Sequence, residues 1–89
     1  MKSILQSERE CYVCGSARDL ECHHIFGASN RKTSERCGFK VYLCHAHHNE
    51  PPDGVHMNRA QNDWLKSECQ QVYEKSHTRA EFMALIGKN

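Results

Sequence analysis

Two short motifs, far apart in the chain, constrain its fold more than anything else in it. Cys11-Tyr-Val-Cys14 lies near the start, and Cys44-His-Ala-His47 lies near the middle. Each puts two metal-ligating side chains on one tight turn, and tetrahedral zinc takes four such donors. Gly15, directly after the first motif, suits the backbone angle that closes a zinc knuckle. A fold that satisfies both motifs must bring Cys11, Cys14, Cys44 and His47 around one structural Zn²⁺. His48, the next residue, is left over for another role.

Composition makes such a staple necessary. The chain has 89 residues, read as a single domain over 1–89, and only 38% of them are hydrophobic. A chain this short buries a small share of its surface, so its core is marginal unaided. Six cysteines and seven histidines suggest what reinforces it. Disulfides are the alternative, but the opening MKSILQSERE holds no apolar run of signal-peptide length. No stretch approaches the ~20 apolar residues that cross a membrane. The expected location is therefore the cytoplasm, where thiols stay reduced and paired cysteines more often bind metal. A CxxC also serves redox chemistry, yet no βαβ pattern surrounds this one. Cys22, Cys37 and Cys69 lack a partner at ligand spacing and are expected to be small buried or half-buried thiols.

The order of the remaining segments predicts an α+β fold. Ser3–Glu10 reads as an extended lead-in that tucks Ile4 and Leu5 down. Leu20–Phe26 (LECHHIF) reads as a strand ending at Gly27. The stretch from Gly27 to Gly38 is polar, bounded by glycines, and reads as a loop with room for one helical turn. Phe39–Leu43 is a second strand, with Phe39, Val41 and Leu43 on one face. A short helix follows and stops at Pro51-Pro52-Asp53-Gly54, since proline cannot continue a helix and glycine turns the chain. The longest helix runs from about Asn58 to Lys75, its buried stripe made by Trp64, Leu65, Cys69, Val72 and Tyr73. Thr78 to Glu81 fits a capping box, and Phe82, Leu85 and Ile86 give a last apolar face before Gly87.

Of the six histidines that remain once His47 is assigned, four are candidate active-site groups: His23, His24, His48 and His56. His23 and His24 are adjacent on a strand and so point to opposite faces, which gives them different work. An isolated histidine would mean little; two His-His pairs, at a strand end and a helix start, fit a metal held between the first strand and the helix. Glu21 shares the face of His23 and is either a spare oxygen ligand or a solvated acid. His45 and His77 read as surface residues. Net charge is only +1 with histidine neutral, but Arg31, Lys32 and Arg36 form a local basic patch that can contact phosphates.

These motifs together resemble a known family. ECHHIFG followed by YLCHAHH, with CYVCG before them, is similar to the HNH endonucleases, also called ββα-metal or His-Me finger nucleases. The resemblance is closest to small phage HNH proteins related to a RecA-dependent recombination-enhancement nuclease, and it spans roughly residues 3 to 87. It implies a small ββα-metal domain with a zinc knuckle and C-terminal helices. It implies His23 as a metal ligand, His24 as general base and His48 as a metal ligand from the helix, with His56 the candidate third ligand. It further implies DNA as a partner, with Arg31, Lys32, Arg36 and Lys40 on its phosphates, in a phage-infected or lysogenic bacterial cell; whether a RecA-type recombinase filament is a second partner stays open. Two positions depart from the family. The place of the middle Asn falls near Phe39, which cannot orient a histidine, leaving Asn30 as a substitute or as an ordinary loop residue. The acid that usually precedes the general base is His23 here.

The chemistry fits the resemblance. Imidazole titrates near neutrality, so His24 can take a proton from water. A divalent ion can carry the charge on the phosphate and the leaving 3′ oxygen; Mg²⁺ or Mn²⁺ is expected to work there, with Zn²⁺ also able to bind. Phosphate contacts carry no sequence information, so cleavage of little sequence specificity is expected. The competing expectation is a catalytically inactive, zinc-stabilised module that binds nucleic acid or protein.

Overall fold

A computed structural model describes residues 2–87 of the chain. The fold is α+β, as expected. Strand β1 (Leu20–His24) is followed by α1 (Arg31–Cys37) and β2 (Lys40–Cys44), then α2 (His45–Asn49), α3 (Arg59–Tyr73) and α4 (Arg79–Ile86). The strands form a two-stranded antiparallel sheet in which Leu20 faces Cys44, His23 faces Val41 and His24 faces Lys40. Each strand begins or ends within two residues of its expected bounds.

Phe39, Val41 and Leu43 do share one face, all fully buried. They meet Ile25 and Phe26 from the end of β1, Leu65 and Cys69 of α3, and Phe82 and Ile86 of α4. Phe26, Phe39 and Phe82 pack edge-on or tilted, with ring centroids 5.6–6.0 Å apart, and Tyr73 closes the cluster. Edge-to-face contact of this kind adds to what burial alone contributes.

Where a polar loop was expected, residues 31–37 form a helix. Its sequence, RKTSERC, has no apolar stripe to announce it, and its one buried residue is Ser34. The Ser34 hydroxyl donates to the Phe26 carbonyl (2.6 Å) and accepts from the Phe26 amide (3.2 Å), while the Phe39 amide donates to the Ser34 carbonyl. A hydrogen-bonded serine, not a hydrophobic face, fastens α1 across the end of the sheet. Asn30 donates to the Ile86 carbonyl at 2.9 Å, so it ties α1 to α4 and does not orient a histidine.

The longest helix also differs in one place. Leu65 and Cys69 are buried, but Trp64 is 41% exposed. One residue along a helix is a rotation of ~100°, and with Leu65 inward Trp64 is turned toward the surface, where its ring lies 5.9 Å from that of Tyr12. In the lead-in, Leu5 packs on the core while Ile4 is exposed rather than tucked down. The capping box of α4 is present: the Thr78 hydroxyl accepts from the Glu81 amide at 3.0 Å, and the Glu81 carboxylate accepts from the Thr78 amide at 2.8 Å. Among the described residues no helix is long and apolar enough to cross a membrane.

Candidate metal centres

The two distant motifs converge. Tyr12 of the knuckle donates its amide to the Tyr42 carbonyl, and the Gly15 amide donates to the Cys11 carbonyl, which pins the first turn against the end of β2. Cys44 ends β2 and caps α2, so His47 lies one helical turn away on the same face. The donor atoms of Cys11, Cys14, Cys44 and His47 all fall within 4.8 Å of one another. Two sulfurs each ~2.3 Å from one zinc at the tetrahedral angle stand about 3.8 Å apart. Cys14 Sγ and Cys44 Sγ are 3.8 Å apart, and His47 Nδ1 is 3.2 Å from Cys44 Sγ and 3.9 Å from Cys11 Sγ. This Cys₃His cluster has the donors and the spacing to hold a metal such as zinc. Burial pushes the Cys11 thiol up, but the backbone amides of Cys44, Cys14 and Val13, with the Cys14 side chain, more than offset it and bring it to about 7. Thiolate, the form that binds metal, is thereby favoured.

A second cluster lies on the other side of α2. The turn after that helix folds the chain back on itself: the Val55 amide donates to the His47 carbonyl and the His56 amide to the His48 carbonyl. Gly54 permits this, because a Cβ there would stand 2.6 Å from the backbone nitrogen and oxygen of Glu50. Asn58 then fixes the turn to α3, donating to the Pro52 carbonyl and capping the Gln61 amide. As a result His56 comes beside His48, and both face His23 on β1. The three ring centroids are 4.7–5.1 Å apart, and a ligating nitrogen from each lies within 4.8 Å of the others.

His23 is 5% exposed, and its Nε2 is the single buried side-chain nitrogen or oxygen among the described residues that lacks a hydrogen-bond partner. Burial, helped by the neighbouring His48 and His56, pushes its imidazole down to about 3. A neutral ring with an unused lone pair is what a metal ligand needs. His48 and His56 approach Nε2 to Nε2 at 3.0 Å.

Glu21 stands outside the cluster of three donors, and it is hydrogen-bonded rather than simply solvated. Its carboxylate accepts from His48 Nδ1 (2.6 Å), His45 Nδ1 (3.0 Å) and Asn49 Nδ2 (2.8 Å). These bonds hold its carboxyl below the usual range and, with His48 donating from Nδ1, leave His48 Nε2 to face His23 and His56. A carboxylate on the far nitrogen of a ligating histidine is the usual way such a ring is oriented. Sequence spacing put Glu21 near His23, but only the register across the sheet, Glu21 opposite Leu43, shows that it reaches α2. His45 is on the surface as expected and engages Glu21; His77, also exposed, stacks on Tyr73 with centroids 4.0 Å apart.

His24, the next residue of β1, lines an open cleft of about 310 Å³ together with His23, His48, His56, Arg31 and Cys22. Cys22 is exposed there, rather than buried or half-buried as expected, because it alternates with the inward His23; Cys37 is half-buried and Cys69 buried, as expected. Arg31, Lys32 and Arg36 line an adjoining groove of about 410 Å³ with His24 and Glu35. Lys40 does not belong with them: it is 6% exposed and bonded to Glu35, because its place on β2 directs it under α1. Glu35, which the sequence shows only as the lone acid in the basic segment, also accepts from His24 Nε2 at 2.8 Å. Lys40 first, then His24, holds the Glu35 carboxyl down to about 2. No protein-family model, curated protein or solved structure matches the chain.

Proposed function

We propose that the protein is a divalent-metal-dependent endonuclease that hydrolyses DNA phosphodiester bonds at the histidine cleft. The observation that carries this reading is the buried, unpartnered Nε2 of His23, set among the nitrogens of His48 and His56 with His24 on the next residue. A metal-free structural role would leave that nitrogen desolvated with nothing gained for it. The succession of β1, β2 and α2, with one metal cluster closing the fold and a second at the strand–helix junction, supports the ββα-metal unit implied by the sequence.

In this reading His23, His48 and His56 hold the ion, and Glu21 keeps His48 presenting Nε2. When bound, the ion supplies positive charge to the phosphate and to the departing 3′ oxygen. Three imidazoles and no carboxylate favour Zn²⁺ over Mn²⁺ in affinity, with the harder Mg²⁺ weakest. Arg31, Lys32 and Arg36 hold flanking phosphates from the adjoining groove, a contact that positions without reading sequence. His24 presents Nδ1 to water, because its Nε2 is engaged by Glu35. It takes one proton as the water oxygen forms a bond to phosphorus; the P–O3′ bond breaks, and the 3′ oxygen takes a proton from solvent.

A supercoiled-plasmid assay with Zn²⁺, Mn²⁺ or Mg²⁺ tests the proposal. Wild type is expected to nick the plasmid, and His24→Ala to lose at least ~10²-fold in rate while still binding metal and DNA. Equal cleavage by His24→Ala, or no cleavage by wild type with any of the ions, would contradict it.

A further inference from the structure

Phe39 stands where a base-orienting side chain is expected, and it is buried in the core with no polar atom to offer. The structure provides such a contact from elsewhere. Glu35 lies four residues after Arg31 on α1, so the two share a helix face, and both line the groove that contains His24. One Glu35 oxygen accepts from His24 Nε2 at 2.8 Å, and the other accepts from Lys40. Lys40 is paired with His24 across the sheet, and it is buried while Glu35 is largely exposed. A buried ammonium needs a carboxylate, so Lys40 restricts where Glu35 can be. An exposed glutamate left alone would instead sample many rotamers.

We infer that Glu35 is the positioning residue for His24, anchored by Lys40, and that it keeps the ring in the Nε2–H tautomer with the Nδ1 lone pair turned to the cleft. This rests on the reading of His24 as general base. The arrangement also gives α1 two tasks, since the helix that carries Arg31 and Lys32 to the phosphates carries the residue that sets the base. A phosphate drawn to Arg31 is thereby placed on the same face as the group that orients the attacking water.

The test combines cleavage with a direct view of the ring in the metal-loaded protein. Long-range ¹⁵N–¹H spectra of His24, recorded where the ring is neutral, are expected to show protonated Nε2 and unprotonated Nδ1 in wild type. Glu35→Ala is expected to give mixed tautomers and to lose about 10–100-fold in the cleavage rate at saturating plasmid, with its zinc content and plasmid affinity retained. Glu35→Gln, the same shape with one accepting oxygen, is expected to restore the tautomer and part of the rate. Lys40→Met is expected to fall between wild type and Glu35→Ala. If Glu35→Ala keeps both the wild-type spectrum and the wild-type rate, the inference is overturned. If wild type itself cuts nothing, the reading of His24 as base fails, and the spectra alone then decide whether Glu35 sets the tautomer.

Discussion

His23 shows how much one side chain of this molecule depends on its setting. Its imidazole is held down to about 3 by burial and by the histidines beside it, against about 6.5 in an unfolded chain. A folded value below the unfolded one means the unfolded chain takes up protons first as the solution is acidified. Stability is therefore fully present above about pH 6.5 and falls as pH drops toward 3, by up to about 1.4 kcal/mol per pH unit. With zinc in the Cys₃His cluster and no metal in the cleft, thermal melts between pH 7 and pH 5 should fall more steeply for wild type than for His23→Asn, which has no imidazole to protonate. Parallel curves for the two proteins would contradict this. Most of the candidate ligands were legible in the sequence because ligand spacing is a local property: CxxC, CxxH and HH declare themselves without a fold, whereas His56 belongs to no such motif. The carboxylates that bond to His48 and His24 were not legible, since Glu21 and Glu35 reach them from other elements.

At the level of elements, the turn at residues 51–54 does more than end a helix. It returns the chain so that His56 lies against His48, and it does so through a backbone approach that only glycine permits at residue 54. Gly54→Ala must push the turn away from Glu50. A cost of about 1–3 kcal/mol is expected, read by thermal or denaturant unfolding, together with weaker metal binding at the cleft read by calorimetry; unchanged values of both would show that the turn is not tightly constrained. The strands, the long helix and the capping box were readable because periodicity and capping chemistry act over a few residues. Helix α1 was not, because Ser34 secures it by hydrogen bonds to Phe26 rather than by an apolar stripe. Trp64 was misplaced for a related reason: helical spacing allows it on the buried face, but the core is filled by Leu65 and Cys69.

Across the whole molecule, α2 joins the cysteine cluster to the histidine cleft. Cys44, capping it at the end of β2, and His47 in its first turn face the cysteine cluster, and the next residue, His48, faces the histidine cleft. In the proposed reading, joining them this closely would let a structural metal set the position of a reactive one, which a chain this small could not do with its apolar core alone. The central claim is that these are two separate metal centres. Elemental analysis of the folded protein, after equilibration with Zn²⁺ and removal of free ion, tests it most directly. Two zinc ions per chain are expected for wild type. His48→Ala should hold one and keep its fold by circular dichroism, while His47→Ala should lose the fold. A single ion in wild type, or two ions still bound by His48→Ala, would contradict the account.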